Sequence, residues 1–187
     1  MPVAKEMTMA ELKKVLRALS YDQVEDMLCV LYRQNKDVSR FLNARFNGAA
    51  YAPKLLEDFK LDIDRFIPMD FHRTLSMSQA RKALTGFRKA APDSASELEM
   101  LLYFTERCVQ FTSTYGDIDE PFYDSAARAF AEFVDGLNGL DDDTLFERWR
   151  SRVDAVLSQC IHIGWGFGDQ IGQLAASIIW NEHDEDS

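Results

Sequence analysis

Helix-start signals recur along this chain, each followed by apolar residues spaced by three and four, and that pattern confines it to an all-α fold. Thr8-Met-Ala-Glu11 is a capping box, in which a hydroxyl and a carboxylate satisfy backbone N–H groups that a helix end leaves unpaired. Leu12, Val15, Leu16 and Leu19 follow at helical spacing. Ser20-Tyr-Asp-Gln23 is a second box, ahead of Val24, Met27, Leu28 and Leu31. About one residue separates the two stripes, so the chain must turn sharply between them. A third helix follows Asn35 with Val38, Phe41, Leu42 and Phe46 on one side. Pro53 suits a first helical turn, and Leu55, Leu56, Phe59, Ile63 and Phe66 follow until Pro68 stops the run.

Ser76-Met-Ser-Gln79 opens a fifth helix through Ala80, Ala83, Leu84 and Phe87, and Ser94-Ala-Ser-Glu97 opens a sixth. The sixth differs from its neighbours. Leu98, Leu101, Leu102, Thr105, Val109 and Thr112 form one face, and Met100, Phe104, Cys108 and Phe111 widen it to roughly 200°. Only Glu99, Tyr103, Glu106 and Gln110 are expected outside, so this helix needs several neighbours and reads as the central one. A seventh starts at Pro121 behind Asp119, with Phe122, Ala126, Phe130, Phe133, Val134 and Leu137 inward, and Gly139 ends it. Asp141, Asp142 and Asp143 suit the electropositive start of an eighth, which carries Leu145, Trp149, Val153, Val156 and Leu157. A last helix near 169–180 carries Ile171, Leu174, Ile178 and Ile179. The expectation is about nine helices, consecutive ones antiparallel, in a layered bundle or a short HEAT-like solenoid.

Arg17-Ala-Leu-Ser-Tyr-Asp-Gln23 echoes Arg73-Thr-Leu-Ser-Met-Ser-Gln79 at a constant offset of 56 residues. The echo reads either as a duplicated helical unit or as two good helix starts; no period runs through the whole chain. With 187 residues, 47% of them apolar, one domain over 1–181 can fill its own core, leaving an acidic tail at 182–187 expected to be disordered.

Charge divides the chain. Residues 1–89 carry 16 Lys and Arg against 11 Asp and Glu (net +5), and residues 90–187 carry 5 against 20 (net −15). A total of −10 speaks against a general nucleic-acid binder, which needs a basic footprint. No apolar run approaches the roughly 18 residues of a membrane span, and Met1-Pro-Val-Ala-Lys-Glu6 does not read as a signal segment. Cys29, Cys108 and Cys160 are odd in number and far apart, as expected of reduced core thiols in the cytoplasm. Arg33, Lys36, Arg40 and Arg45 read as a solvated basic ridge.

Two segments are candidates for function. Tyr115-Gly-Asp-Ile-Asp-Glu-Pro-Phe-Tyr123 places three carboxylates within four residues, between two tyrosines. Asp117, Asp119 and Glu120 suit a hard cation, an amine or a basic side chain, although the spacing is not that of an EF-hand. The structural alternative is that Asp119 caps the seventh helix, Glu120 and Pro121 start it, and Gly116 makes the turn. Cys160-Ile-His-Ile-Gly-Trp-Gly-Phe-Gly168 has three alternate glycines but no preceding strand, so it reads as a tight loop burying Trp165 and Phe167 rather than a phosphate loop. His162 reads first as a hydrogen-bonded core residue, and otherwise as a base or ligand.

The segment Tyr115–Ser125 with Phe111-Thr112, and Ile163-Gly-Trp-Gly-Phe167, resemble those of an uncharacterised bacterial family, domain of unknown function 6155. Tyr32-x-x-Asn-Lys-Asp37 with Phe41-Leu-Asn43, and Ser78-Gln-Ala-Arg-Lys-Ala83 with Phe87-Arg-Lys89, are similar to it as well. Gly168 departs from that pattern, where a bulkier polar residue is expected. The resemblance implies a single bacterial cytosolic domain and no particular activity. The expected function is a non-enzymatic interaction module facing a basic protein surface, with no cofactor, no nucleic acid and no membrane. Its alternative is a small-molecule or metal binder, an enzyme included, formed by Tyr115, Asp117, Asp119, Glu120, Tyr123, His162 and Trp165. The oligomeric state stays open.

Overall fold

The computed structural model describes residues 5–140, 143–164 and 166–179, with the side chains of 143–147 outside that description. Among the described residues there are nine α-helices and no strand. They are α1 (Met9–Ala18), α2 (Tyr21–Gln34), α3 (Lys36–Asn47), α4 (Ala52–Phe66), α5 (Met77–Ala90), α6 (Ser94–Tyr115), α7 (Glu120–Asn138), α8 (Asp143–Cys160) and α9 (Phe167–Ala176), with a short 3-10 turn at Gly48–Tyr51. None is long and apolar enough to cross a membrane. Asp141 and Asp142, Trp180 and the 182–187 tail lie outside the described residues.

The local signals act as their chemistry requires. Thr8 and Ser20 each close a capping box, with Glu11 and Gln23 respectively. Asn35 accepts from the backbone N–H groups of Asp37 (2.9 Å) and Val38 (3.2 Å). At α6 the cap is Asp93 rather than Ser94: its carboxylate accepts from Ser96 N at 2.7 Å. Ser76 makes no side-chain cap bond at α5. α2 and α5 lie at the 56-residue offset, yet α2 follows a helix and a closed box while α5 follows a loop. The echo is therefore one of helix starts.

The chain forms two compact units, residues 1–43 and 44–187, divided within α3. In the first, neither α1 nor α2 contains a buried residue. Asn43 Nδ2 donates to Tyr32 Oη at 3.0 Å and ties α2 to α3, which accounts for the Tyr32 and Asn43 of the motif noted above. The basic ridge is only partly solvated: Arg40 is buried, within 4.0 Å of Asp37.

The second unit is built around α6. α4, α5, α7 and α8 all pack on it, and α9 packs on α7 and α8. α6 and α7, joined by four residues, run along each other in opposite directions. Their approach is close at Gly136, where a side chain would have its Cβ 2.6 Å from Leu98 Cδ2. Leu55, Ile63, Phe87, Phe104, Phe130, Phe133, Trp149 and Ile171 fill the core between these helices. Cys108 and Cys160 are buried there; Cys29 is exposed on α2, so only two of the three cysteines are core thiols. Phe130 stacks on Phe133, which meets Trp149 edge to face. Phe130→Ala is expected to lower the unfolding free energy by about 3–5 kcal/mol, measured by urea denaturation.

Candidate functional site

The bend between α6 and α7 is organised from beneath by one tyrosine. α6 stops because Gly116 takes φ +86°, a region that only glycine enters without strain. Thr112 Oγ1 donates to the Gly116 carbonyl at 3.1 Å and holds the turn. Asp119 then accepts from Phe122 N at 3.0 Å and caps α7, with Pro121 in the first helical turn. Tyr123, one turn into α7, points back under the bend. Its buried hydroxyl lies 2.7 Å from Thr112 Oγ1, accepts from Ile118 N at 3.3 Å and donates to Asp117 Oδ1 at 3.2 Å.

The two segments singled out in the sequence meet here. The Tyr123 ring packs on Phe167, centroids 5.1 Å apart. Gly164 faces Asp117 so closely that a Cβ on it would lie 3.2 Å from Asp117 Oδ2. Tyr115 is half-buried between Phe111 and Phe71, at 4.8 and 6.2 Å, beside a shallow hollow of about 170 Å³ that Pro68, Asp70 and Arg73 also line. Gly166, with φ +69°, starts α9. Gly168 sits where a Cβ would be 2.4 Å from the Cys160 carbonyl oxygen, so the position admits no bulkier residue. That is why glycine stands there.

Asp117, Asp119 and Glu120 are exposed, with Tyr123 buried behind them. They share the bend without converging on a point, and among the described residues no three His, Cys, Asp or Glu side chains stand together as a metal's ligand set. Asp119 serves the helix, Asp117 rests on Tyr123, and Glu120 faces water. His162 is exposed rather than in the core, because Ile163 and Phe167 take the inward positions of that loop. Trp165 lies outside the described residues. Burial pushes the Cys160 thiol up to about 12, which leaves it protonated and unreactive near neutrality. Tyr123→Phe is expected to cost about 1–3 kcal/mol in urea unfolding, because Ile118 N–H and Asp117 lose a common partner.

A second polar cluster escaped the periodicity argument, which placed Glu99 outside. The Glu99 side chain is only 7% exposed and takes Lys60 Nζ from α4 (2.6 Å), Arg152 Nη1 (2.7 Å) and Trp149 Nε1 (3.1 Å) from α8. Arg152 also forks onto Glu106 through two 2.7 Å bonds. Nearby, Tyr103 donates to Asp64 at 2.6 Å. Burial pushes the Glu99 carboxyl up, but the bonds from Lys60, Arg152 and Trp149 outweigh it and hold the group below its usual range.

A depressed carboxyl contributes stability that is complete above its unfolded value, near 4.5, and lost as pH falls below it. Glu99→Gln is expected to lose about 2 kcal/mol at pH 7, less than a fully enclosed pair, because Lys60 and Arg152 keep some access to water. The variant's unfolding free energy should also fall less steeply between pH 5 and 3, as followed by denaturant titration.

Between α5 and α7 lies a cleft of about 330 Å³, floored by Leu84, Phe104 and Ala129 and rimmed by Arg81, Arg88 and Arg128. Arg88 is occupied there by Glu97 (2.6 Å) and Glu132.

Comparison with known proteins gives one result. The profile of the Family of unknown function (DUF6155) matches residues 7–176, and the chain belongs to that family. The match takes in all nine helices and both segments of the bend. No curated protein and no solved structure matches the chain.

Proposed function

We propose that the chain is a non-enzymatic protein-interaction module acting in the cytoplasm, whose acidic bend docks a basic protein surface. The observation that carries this reading is the combination found at 115–123. Three exposed carboxylates share a bend whose tyrosine is fixed in the core. The strong negative excess of residues 90–187 extends the same field, which steers a cationic partner toward the bend and disfavours phosphate-rich ones. Site residues on this reading are Asp117, Asp119 and Glu120 for contact, Tyr115 and His162 at the margin, and Tyr123 as the anchor.

The test is capture of partners from a lysate by the wild-type chain and by a variant with Asp117→Asn, Asp119→Asn and Glu120→Gln. Asn keeps the cap at 119, so far-ultraviolet circular dichroism should be unchanged. The wild-type capture is expected to weaken as salt rises from 50 to 300 mM, and the neutral variant to lose the salt-sensitive partners. Retention of every partner by the variant refutes the reading.

A further inference from the structure

The first unit carries an apolar surface of which only Leu16, Leu19 and Val24 are half-buried, the rest of its stripe being exposed. Leu12, Val15 and Leu16 lie within about 100° of arc on α1, with Leu19 at its C-cap, and Val24, Met27, Leu28 and Leu31 repeat the same spacing on α2. Such stripes normally disappear into a core. Here Leu12, Val15, Met27, Leu28 and Leu31 are 38–46% exposed, and Met9 is 69% exposed. Together these six leave on the order of 500 Å² bare per chain, so two chains would cover about 1,000 Å², the least that a specific interface needs.

The charges on the same two helices identify what fits. Around α1, residues 5–19 carry Lys5, Lys13, Lys14 and Arg17 against Glu6 and Glu11, a net of +2. Around α2, residues 20–34 carry Asp22, Glu25 and Asp26 against Arg33, a net of −2. Lys13 borders the stripe of α1 where Glu25 borders that of α2. A uniformly charged partner matches one helix and is repelled by the other; an anionic lipid surface meets the same objection at α2. A second copy of this chain, turned by a two-fold axis, lays each basic α1 on an acidic α2 and each stripe on a stripe, as a closed isologous contact requires. We infer that the chain forms a homodimer through α1 and α2, the four helices making an intermolecular bundle.

The experiment is sedimentation velocity on the full chain at tens of micromolar. The wild type is expected at twice 21.4 kDa. Leu12→Glu with Leu28→Glu, both exposed and so outside the folded core, should give a monomer with unchanged helical circular dichroism. Lys13→Glu with Arg17→Glu, and separately Asp22→Lys with Glu25→Lys, should each raise the dimer Kd by tenfold or more. An equimolar mixture of the two reversed variants should recover a dimer, because each supplies the sign the other lacks. A monomeric wild type, or a dimer undisturbed by Leu12→Glu with Leu28→Glu, overturns the proposal. A mixture no more dimeric than its components overturns the α1-on-α2 pairing.

Discussion

A helix that is apolar around most of its circumference cannot be left in water, and the second unit is arranged to keep α6 out of it. Four helices cover α6, and α9 backs two of them. That enclosure explains why Glu99 behaves as it does. On a helix with one open side its carboxylate would be solvated. Between α4 and α8 it is stripped of water and must find cations, which Lys60 and Arg152 deliver from both neighbours. The ion cluster is thus a consequence of the core's geometry. It also fixes which faces of α4 and α8 look inward.

The helices were legible because their signals are local. A capping box spans four residues and needs no knowledge of the rest of the molecule, and Thr8, Ser20 and Asp119 cap where their sequences place them. Non-local facts were less legible. The width of the stripe identified α6 as central, yet not that its one supposed polar edge would be covered at Glu99 and remain open at Gln110. Periodicity gave α1 and α2 the same inward face as the other helices, because a stripe records an affinity for apolar surface without saying which molecule supplies it. Arg40 and His162 were exchanged, the cation buried and the ring exposed, since residue type alone cannot settle a local balance of neighbours.

The candidate site was legible to a different degree. The unusual carboxylate spacing and the alternate glycines each marked a segment, and the two segments do meet. Their meeting depends on Tyr123 and Phe167 reaching each other from α7 and α9, a contact 44 residues long in sequence that no spacing rule anticipates. The glycines have separate duties: Gly166 allows a left-handed start to α9, while Gly164 and Gly168 clear space for Asp117 and the Cys160 carbonyl. The acids crowd together in the sequence, which is what suggests a metal or ligand corner as the alternative; in the fold Asp119 caps a helix end and Asp117 accepts from a phenol.

The hydroxyl of Tyr123 reaches both sides of the bend at once, through Ile118 N in the loop and Thr112 at the end of α6. To shift the acid-bearing loop, a binder would have to drag an aromatic ring out of its packing. A partner that docked there, as proposed, would meet a preorganised surface and lose little to ordering it, so that shape would weigh beside charge in its selection.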